Sequence, residues 1–406
     1  MRNVHAATGE RDDIIERLYR LDVGNDCPVH VAAATVVSDE RHVKRVVSGR
    51  GLHAEEAKDR CVSEAIERQS AVYIASIEIT RSSFSALADA ALDPHKLLHI
   101  SQAQYSNRAE WNVQVDAAHH IPPRIDEDQN IGWVRARSLT ACATKFVPAA
   151  HVFLGCPTAH QEGFPVPDSS GLAAGDTESD AVERGLLELI ERDAVSIWWY
   201  NRLAVPPMAF DRTELSLWEP FADWIKRCAR QFWLLDLTTD LGVPVAAAVS
   251  CDEHGSDFSF GFGAGKTQAA AAENALCEMV QFEVTKKYHK PQVAGPYPHF
   301  LSWCRSANIN DHGFVVATDA KRKILVRQPF TADVIVDRLA RKGLEAFAYE
   351  FSSVSQHTKV VRAIVPGLRP IWPRLAAGRL YNVPYELGRV ERSKREEELN
   401  PVPILY

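Results

Sequence analysis

The chain has 406 residues, enough for two or three domains of ordinary size or one large domain, and enough to bury a core without disulfides or structural metals. Hydrophobic residues make up 46% and charged residues 24%, as in average globular proteins, which excludes disordered, collagen-like and coiled-coil classes. With 46 basic and 53 acidic residues the net charge is −7, which argues against a general nucleic-acid binder.

Membrane, secreted and zinc-binding proteins are disfavoured as well. No apolar run reaches the length of about 18 residues that a membrane span needs, and the first residues lack the apolar core of a signal peptide. The eight cysteines are scattered without a Cys-x-x-Cys pair, so zinc is not expected. The sequence therefore predicts a cytoplasmic protein with no membrane and no nucleic-acid partner.

Three long helices are predicted, with bounds in chain order of 54–75, 178–201 and 267–287. In the first, Glu55 and Glu56 suit the initial turn, and apolar side chains then recur every three or four residues. In the second, Thr177 and Asp180 have the spacing of a capping box. The third is rich in alanine, a strong helix former.

Extended segments rich in apolar and β-branched residues lie between and after these helices. They are 29–37, 232–237, 243–250, 258–262 and 360–365. Strands that alternate with helices predict an α/β architecture. Candidate linkers, where polar residues and proline accumulate, are 107–132, 157–171 and 290–298.

The helices share an unusual arrangement of carboxylates. The first contains Glu64-Ala-Ile-Glu-Arg and the second Glu188-Leu-Ile-Glu-Arg, and the third offers Glu278 and Gln281 at the same spacing. Residues three apart lie on one helix face, where like charges repel by a few tenths of a kcal/mol. Helix stability alone does not favour this pattern, so it indicates a function.

Convergence of the helices would bring up to five carboxylates together. Such a cluster needs cations to stay ionised, and oxygen-rich sites suit Mg²⁺, which commonly sits between carboxylates and substrate phosphates. The alternative is that each pair lies on a solvated face, with the following arginine in a local salt bridge. The apolar neighbours Ala65, Ile66, Leu189 and Ile190 favour a buried cluster.

Two other segments suggest nucleotide binding only superficially. Gly261-Phe-Gly-Ala-Gly-Lys-Thr stands between a predicted strand and a helix, but a phosphate loop needs a further glycine where Phe260 stands. We therefore predict that this run is not a phosphate loop. The aromatic segment Trp198-Trp-Tyr at the end of the second helix is predicted to pack in the core rather than stack on a base.

Eight segments carry a resemblance to a known family: Ser48-Gly-Arg-Gly-Leu, Glu64-Ala-Ile-Glu-Arg, Asp168-Ser-Ser-Gly-Leu-Ala-Ala-Gly-Asp-Thr, Gly185-Leu-Leu-Glu-Leu-Ile-Glu-Arg-Asp-Ala, Trp198-Trp-Tyr-Asn-Arg, Leu235-Asp-Leu-Thr-Thr-Asp-Leu-Gly-Val-Pro, Glu278-x-x-Gln281 and Val361-Arg-Ala-Ile-Val-Pro-Gly. The chain resembles the YcaO family, and within it the D-protein type of azoline-forming cyclodehydratase. The resemblance implies an α/β, YcaO-type fold of mixed sheets and helices, in which carboxylate-bearing helices converge on an ATP site. It also implies a YcaO domain over 46–387, between an N-terminal segment, 1–45, and a tail, 388–406.

The resemblance implies that carboxylates and Mg²⁺ bind ATP without a phosphate loop. The implied Mg²⁺ ligands are Glu64, Glu67, Asp180, Glu188 and Glu191. The implied ATP-binding residues are Arg50, Glu64, Arg68, Asp176, Glu188, Arg192, Glu278 and Gln281. Asp176, Asp180 and Asn274 depart from the family pattern, which has Asn, Glu and Arg at these places.

The implied activity is ATP-dependent cyclodehydration of a precursor peptide, in which phosphorylation of a backbone amide oxygen lets Cys, Ser or Thr form a thiazoline or oxazoline. Alternatives are thioamide or macroamidine formation, or a non-catalytic nucleotide-binding scaffold subunit. Because some 45 residues precede the first matching segment, a separate E1-like or leader-binding partner is expected. A dehydrogenase is a further candidate partner, and a homodimer is expected.

The last residues, Asn400-Pro-Val-Pro-Ile-Leu-Tyr, resemble the proline-alternating ends of azoline-forming members. Leu405 stands where a third proline would fall. Alternating prolines favour an extended segment that loses little entropy on docking. The resemblance implies that the terminal carboxylate of Tyr406 acts as a base in catalysis or positions one. The alternative is a frayed terminus without a role.

Overall fold

The computed structural model describes residues 2–3, 14–24, 26–38, 43–115, 119–288, 298–319 and 330–404. The strands in these residues are β1 (Arg2–Asn3), β2 (Ile15–Leu21), β3 (His30–Ser38), β4 (Val43–Gly51), β5 (Thr80–Ser82), β6 (Ile131–Ser138), β7 (Thr144–Pro148), β8 (Leu172–Gly175), β9 (Arg230–Asp236), β10 (Val245–Asp252), β11 (Ser259–Ala264), β12 (Phe347–Phe351) and β13 (Lys359–Ile364). The α-helices are α1 (Ala54–Ser70), α2 (Phe84–Leu87), α3 (Pro94–Leu98), α4 (Gln102–Ser106), α5 (Arg108–Gln114), α6 (Ala149–Val152), α7 (Glu178–Asn201), α8 (Trp218–Arg227), α9 (Gln268–Tyr288), α10 (Pro298–Ser306), α11 (Ala332–Arg341) and α12 (Arg379–Glu386).

The strands form three sheets, each built from antiparallel pairs. The first has the order β1-β2-β3-β4, and the second has the order β11-β10-β9. The third runs β5-β6-β12-β13-β8, with β7 also paired to β6. The long helices α1, α7 and α9 pack on these sheets, α1 on β3 and β4, α7 on β8 and β13, and α9 on β10 and β11.

The three predicted helices are present, with one difference in length. The prediction extended the first to residue 75, but α1 ends at Ser70 because Val72 forms a β-bridge with Leu154. The predicted cap of α7 is confirmed, since the Thr177 side chain accepts a hydrogen bond from the Asp180 amide at 3.1 Å. The five predicted strands correspond to β3, β9, β10, β11 and β13.

Other elements were not predicted. The candidate linker 107–132 contains α5 and the start of β6, and 290–298 lies outside the described residues except for Pro298. The short and edge strands β2, β5 and β7 acquire their conformation from pairing with neighbours, which local composition does not reveal.

The C-terminal half of α7 lies in the largest hydrophobic cluster. Trp198, Trp199 and Tyr200 are each at most 1% exposed, which confirms that this aromatic segment packs in the core. The carboxylate of Asp193 on the same helix is fully buried and pairs with Arg379 at 2.7 Å. In the described part of the chain, no helix combines the length and apolar character needed to cross a bilayer.

The glycine run in β11 brings α9 close to the strand. A Cβ atom on Gly261 would lie 2.1 Å from the Met279 amide nitrogen and 2.2 Å from the Ala275 carbonyl oxygen. A Cβ on Gly49 of β4 would meet the backbone of α1 at the same short distance, 2.2 Å. Only glycine permits such contact between helix and strand backbones, so the run that resembles a phosphate loop has a packing role.

We expect Gly261→Ala to destabilise the protein by at least about 1–3 kcal/mol, because the added methyl group overlaps the backbone of α9. The measurement is the urea midpoint of unfolding. Gly313→Ala is the matched control, since a Cβ there meets no atom within 4 Å. Equal midpoints for the two variants would contradict the close packing of α9.

Candidate functional site

Glutamates from α1, α7 and α9 meet in one region. Burial, followed by the negative charges of Glu64 and Glu188, raises the pKa of the Glu67 carboxyl, so α1 and α7 bring these groups close together. Burial and the charge of Glu278 on α9 do the same for Glu191 on α7. These five side chains form the carboxylate cluster that the repeated Glu-x-x-Glu pattern predicted.

Backbone amides of neighbouring strands hold four of the five carboxylates. The Ser48 amide of β4 donates to Glu64 Oε2 at 3.2 Å, and the Gly171 amide directly before β8 donates to Glu188 Oε2 at 3.0 Å. The helix face is therefore turned toward the sheets rather than toward bulk water.

Strand β11 holds the other two. The Ala264 amide donates to Glu191 Oε2 at 2.8 Å, and the Phe262 amide donates to Glu278 Oε2. A carboxylate that accepts a main-chain hydrogen bond is fixed in direction, and the bond is stronger than one between neutral groups. The alternative of a freely solvated glutamate face is wrong for these helices.

The arginine after each Glu pair folds back onto its own helix. Arg68 lies 3.1 Å from Glu64 Oε1, and Arg192 donates to Glu188 Oε1 from Nε and Nη2 at 3.1 and 2.8 Å. Although burial opposes it, the charges of Glu188 and Asp168 raise the pKa of Arg192, so this guanidinium stays charged. The alternative interpretation predicted a local salt bridge between each Glu pair and the arginine that follows it. Both salt bridges are present, but they belong to the carboxylate cluster and do not lie on a solvated helix face.

Arg50 of β4 connects the first sheet to α9. Its Nη1 donates to Gln281 Oε1 at 2.8 Å and its Nη2 to Glu278 Oε1 at 3.2 Å. Gln281 in turn donates from Nε2 to the Ser48 hydroxyl at 2.6 Å. Three of the residues that the resemblance assigned to ATP binding are therefore in direct contact, across more than half the length of the chain.

Glu67 and Glu191 are the members of the cluster that most favour a bound cation. Glu67 has neither a hydrogen bond nor an ion pair with any described residue, and its pKa lies well above the ordinary value because of burial and its acidic neighbours. Burial and Glu278 raise the pKa of Glu191 to about 8. Oxygen donors whose negative charge is poorly compensated fit Mg²⁺.

The carboxylates of the cluster do not form a complete metal-binding site by themselves. Within the described ranges, no three His, Cys, Asp or Glu side chains are placed to hold an ion together. Mg²⁺ commonly takes one or two carboxylates and completes its octahedral shell with waters and substrate phosphates. A site of this kind gains its metal together with a nucleotide.

Asp176 and Asp180 lie away from the cluster. Both side chains are exposed at the start of α7, and the Asp180 carboxylate accepts a hydrogen bond from the Thr177 hydroxyl at 2.7 Å. Asp180 precedes Glu188 by two turns, about 12 Å along the helix axis. The structure therefore does not bring these two aspartates into contact with the glutamates.

The tail is anchored on the same helix. The Asn400 amide donates to the Tyr200 carbonyl at 2.7 Å, and the Trp199 indole donates to the Val402 carbonyl at 2.7 Å. Ile404 is fully buried. The frayed terminus that we considered as an alternative is wrong as far as Ile404, whereas Tyr406 lies outside the described residues.

A cleft of about 110 Å³ adjoins the cluster, and Arg192 is the one residue of its lining to which the sequence analysis gave a role. Arg192 lines it, together with Asp168 and Arg362. Arg362 donates to the main-chain carbonyls of His151 and Asp168, and the Trp372 indole donates to the Asp168 carboxylate. One signal was available: Arg362 is the charged residue inside the apolar segment predicted as strand 360–365.

The profile of one protein family, described as YcaO cyclodehydratase, ATP- and Mg²⁺-binding, matches residues 48–369. The chain belongs to the YcaO family. This membership confirms the resemblance seen in the sequence, and it confirms ATP and Mg²⁺ as the predicted cofactors.

Three similar proteins support the assignment. A heterocyclase solved in complex with substrate and cofactor is 29% identical, with a TM-score of 0.87 over 97% of this chain and 55% of its own. The heterocyclase TruD is 30% identical, with a TM-score of 0.76 over 88% of this chain and 51% of its own. An uncharacterized protein in the tfuA 3′ region of Rhizobium leguminosarum bv. trifolii is 28% identical over 86% of this chain and 82% of its own.

The fold of the heterocyclases confirms the predicted α/β architecture. The chain spans about half the length of these two heterocyclase chains, 55% and 51%.

We expect Glu191→Gln to reduce ATP turnover about tenfold or more while the protein stays folded, because the amide cannot provide the negative charge that a cation needs. Steady-state ADP release measures this. Glu178→Gln is the matched control on α7, since Glu178 is exposed and pairs with Arg137. Unchanged turnover in a folded Glu191→Gln protein would contradict the site.

Lys266→Ala should leave ATP affinity nearly unchanged. The Lys266 ammonium pairs with Glu183 of α7 at 2.6 Å, and the glycine run before it packs against α9. Isothermal titration with ATP and Mg²⁺ measures the affinity. Loss of nucleotide binding would mean that this segment contacts phosphate after all.

Proposed function

We propose that this protein is an ATP-dependent cyclodehydratase that converts Cys, Ser or Thr residues of a precursor peptide to thiazolines or oxazolines. The observation that carries the proposal is the carboxylate cluster, in which strand amides hold glutamates from three helices beside a cleft that shares Arg192 with it. We assign ATP contacts to Arg50, Glu64, Arg68, Asp176, Glu188, Arg192, Glu278 and Gln281. We assign Mg²⁺ ligands to Glu64, Glu67, Glu188 and Glu191, and to Asp180 a separate contact to Mg²⁺ outside the carboxylate cluster.

The reaction joins a peptide side chain to the carbon of the preceding amide and removes the oxygen of that amide. When bound, ATP and Mg²⁺ would supply a phosphoryl group, which makes the oxygen a good leaving group. The carbon–oxygen bond breaks as phosphate departs, the amide nitrogen loses its proton, and the peptide loses the elements of one water.

The chain's own residues position two substrates and balance charge. The negative charges of the Glu67 and Glu191 carboxylates are the least compensated by other groups of the protein. Arg50 of the first sheet forms an ion pair with Glu278 and holds this side chain in place. Groups fixed before the reaction need no reorganisation when charge moves, which is how preorganised sites accelerate phosphoryl transfer. The chemistry needs no covalent protein nucleophile.

The test is incubation of the protein with ATP, Mg²⁺ and candidate precursor peptides encoded beside its gene. Peptide-dependent ADP release, with loss of one water mass for each ring, supports the proposal. Heavy oxygen placed in the reacting amide should appear in phosphate. A product in which sulfur has replaced an oxygen would indicate thioamide formation. Loss of water with a new bond to the peptide's own amine would indicate a macroamidine. ATP consumption that does not depend on the peptide would indicate a scaffold subunit.

Peptide recognition is proposed to need a second protein, E1-like or leader-binding, and ATP as co-substrate suits a cytoplasmic site of action. The basis is the resemblance of the chain to the D-protein type of cyclodehydratase, for which such a partner is expected. We expect slow processing by the isolated protein and faster processing when the partner is added. Efficient formation of several rings without the partner would count against this part of the proposal.

Removal of Leu405 and Tyr406 should slow ring formation much more than it weakens ATP binding. The tail docks on α7 beside the cleft: the Asn400 amide donates to the Tyr200 carbonyl at 2.7 Å, and the charges of Arg369 and Arg374, which line the cleft, act on the pKa of the Tyr200 hydroxyl. Retaining the buried Ile404 keeps the tail anchored, so the truncation moves the terminal carboxylate two residues back and removes the side chains of Leu405 and Tyr406. Equal rates for truncated and full-length proteins would show that this carboxylate has no catalytic role.

A further inference from the structure

The cleft beside the carboxylate cluster contains an excess of positive charge. Among its described lining residues there is one carboxylate, that of Asp168. Four arginines line it: Arg192, Arg362, Arg369 and Arg374. The cleft therefore has the opposite charge to the cluster that it adjoins.

Among the described residues, Arg192 is the one cleft arginine whose guanidinium lies within 4 Å of a carboxylate, that of Glu188. Arg362 and Arg369 are 2% exposed and Arg374 is 4% exposed, and each donates only to uncharged acceptors. Burial lowers the pKa of Arg369 and of Arg374 to about 10. At neutral pH all of them remain charged.

Arg362 has one buried donor that no described residue uses. Its two terminal nitrogens donate to the carbonyls of His151 and Asp168, but its Nε has no hydrogen-bond partner among the described residues. The buried hydroxyl of Ser170 likewise has no partner there. Both residues line the cleft, so each brings a buried donor without a partner among the described residues to its wall.

Besides Arg192, Arg362 is a cleft arginine on which charges of the carboxylate cluster act. Burial lowers its pKa, against the attraction of Asp168 and of Glu188, and the charges of Glu67 and Arg68 act on it as well. A group held by Arg362 would therefore stand at the boundary between the cluster and the cleft.

Asp168 and Glu188 attract Arg362, but the four arginines that line the cleft outnumber these two carboxylates, so the desolvation of the buried guanidinium groups is offset only in part. Such a charge is accounted for when a ligand brings the matching negative charge. The planar guanidinium fork suits oxyanions and phosphoryl groups in particular. The apolar walls formed by Leu97, Phe164 and Val365 suit the flanking parts of a peptide.

We propose that this cleft is the acceptor site for the peptide, and that Arg362, with Ser170, binds the oxygen of the amide that is cyclised. The proposal rests on the proposed function and names the residues that meet its second substrate. The amide oxygen becomes negative when the side-chain heteroatom bonds to the carbon and loses its proton. After the phosphoryl group is transferred to this oxygen, the negative charge lies on the phosphoryl oxygens beside it, until the carbon–oxygen bond breaks and phosphate leaves. Arg362 gains and loses no proton and no bond; it stabilises the charge on this oxygen.

The first experiment measures inorganic phosphate binding by isothermal titration in EDTA, where the carboxylate cluster, lacking metal, repels anions. We expect Arg362→Met to weaken phosphate binding roughly tenfold or more, and Arg362→Lys to weaken it less because it keeps the charge. Glu191→Gln should bind phosphate at least as well as the wild type. Lys286→Met is the control for loss of a buried cation elsewhere, since Lys286 is paired with Asp257 at 3.0 Å.

The second experiment compares substrates. Arg362→Met should raise the KM for peptide and lower kcat, with ATP affinity in Mg²⁺ unchanged within about twofold. Phosphate binding that is absent in the wild type, or equal in wild type and Arg362→Met, would overturn the acceptor-site assignment. Arg362-dependent phosphate binding in a protein that forms no azoline would support the cleft as an anion site while overturning the proposed function.

Discussion

Close contact between glycine-bearing strands and the backbones of the long helices sets the positions of the other parts of the site. Gly49 lets α1 lie directly on β4, and Gly261 lets α9 lie directly on β11. At that separation a glutamate side chain on the helix reaches the amides of the strand, as Glu64 and Glu278 do. A larger residue in either strand would move the helix outward and break this hydrogen bond as well as the packing.

The same contacts bring buried glutamates together, and the other groups of the protein do not fully compensate their negative charge. Main-chain amides and arginines compensate part of the charge, yet burial and acidic neighbours still raise the pKa values of Glu67 and Glu191. A fold optimised only for stability would replace such carboxylates, since buried like charges oppose each other. Their presence fits a site whose missing positive charge arrives with Mg²⁺ and a nucleotide.

The Glu188–Arg192 ion pair on α7 separates two regions of opposite charge. On one side lie the glutamates, and on the other lies the cleft lined by Arg362 and its arginine neighbours. Phosphoryl transfer to an amide oxygen requires both environments, a metal-binding one for the donor and a cationic one for the acceptor. The long helix α7 contributes residues to both regions. The tail forms hydrogen bonds with the C-terminal end of the same helix.

The sequence by itself determined the long helices, the pairs of glutamates on one helix face, the failure of the glycine run as a phosphate loop and the family. These features are local, since helical periodicity and motif spacing are read within a few residues. Only the tertiary structure decided which side chains meet. Arg50 and Gln281 stand 231 positions apart, α5 lies in a predicted linker, and the Asp180 carboxylate accepts a hydrogen bond from the cap residue Thr177 instead of joining the glutamates. The role of Arg362 was equally hidden, because a buried charge reveals its missing partner only when every neighbouring group has been placed.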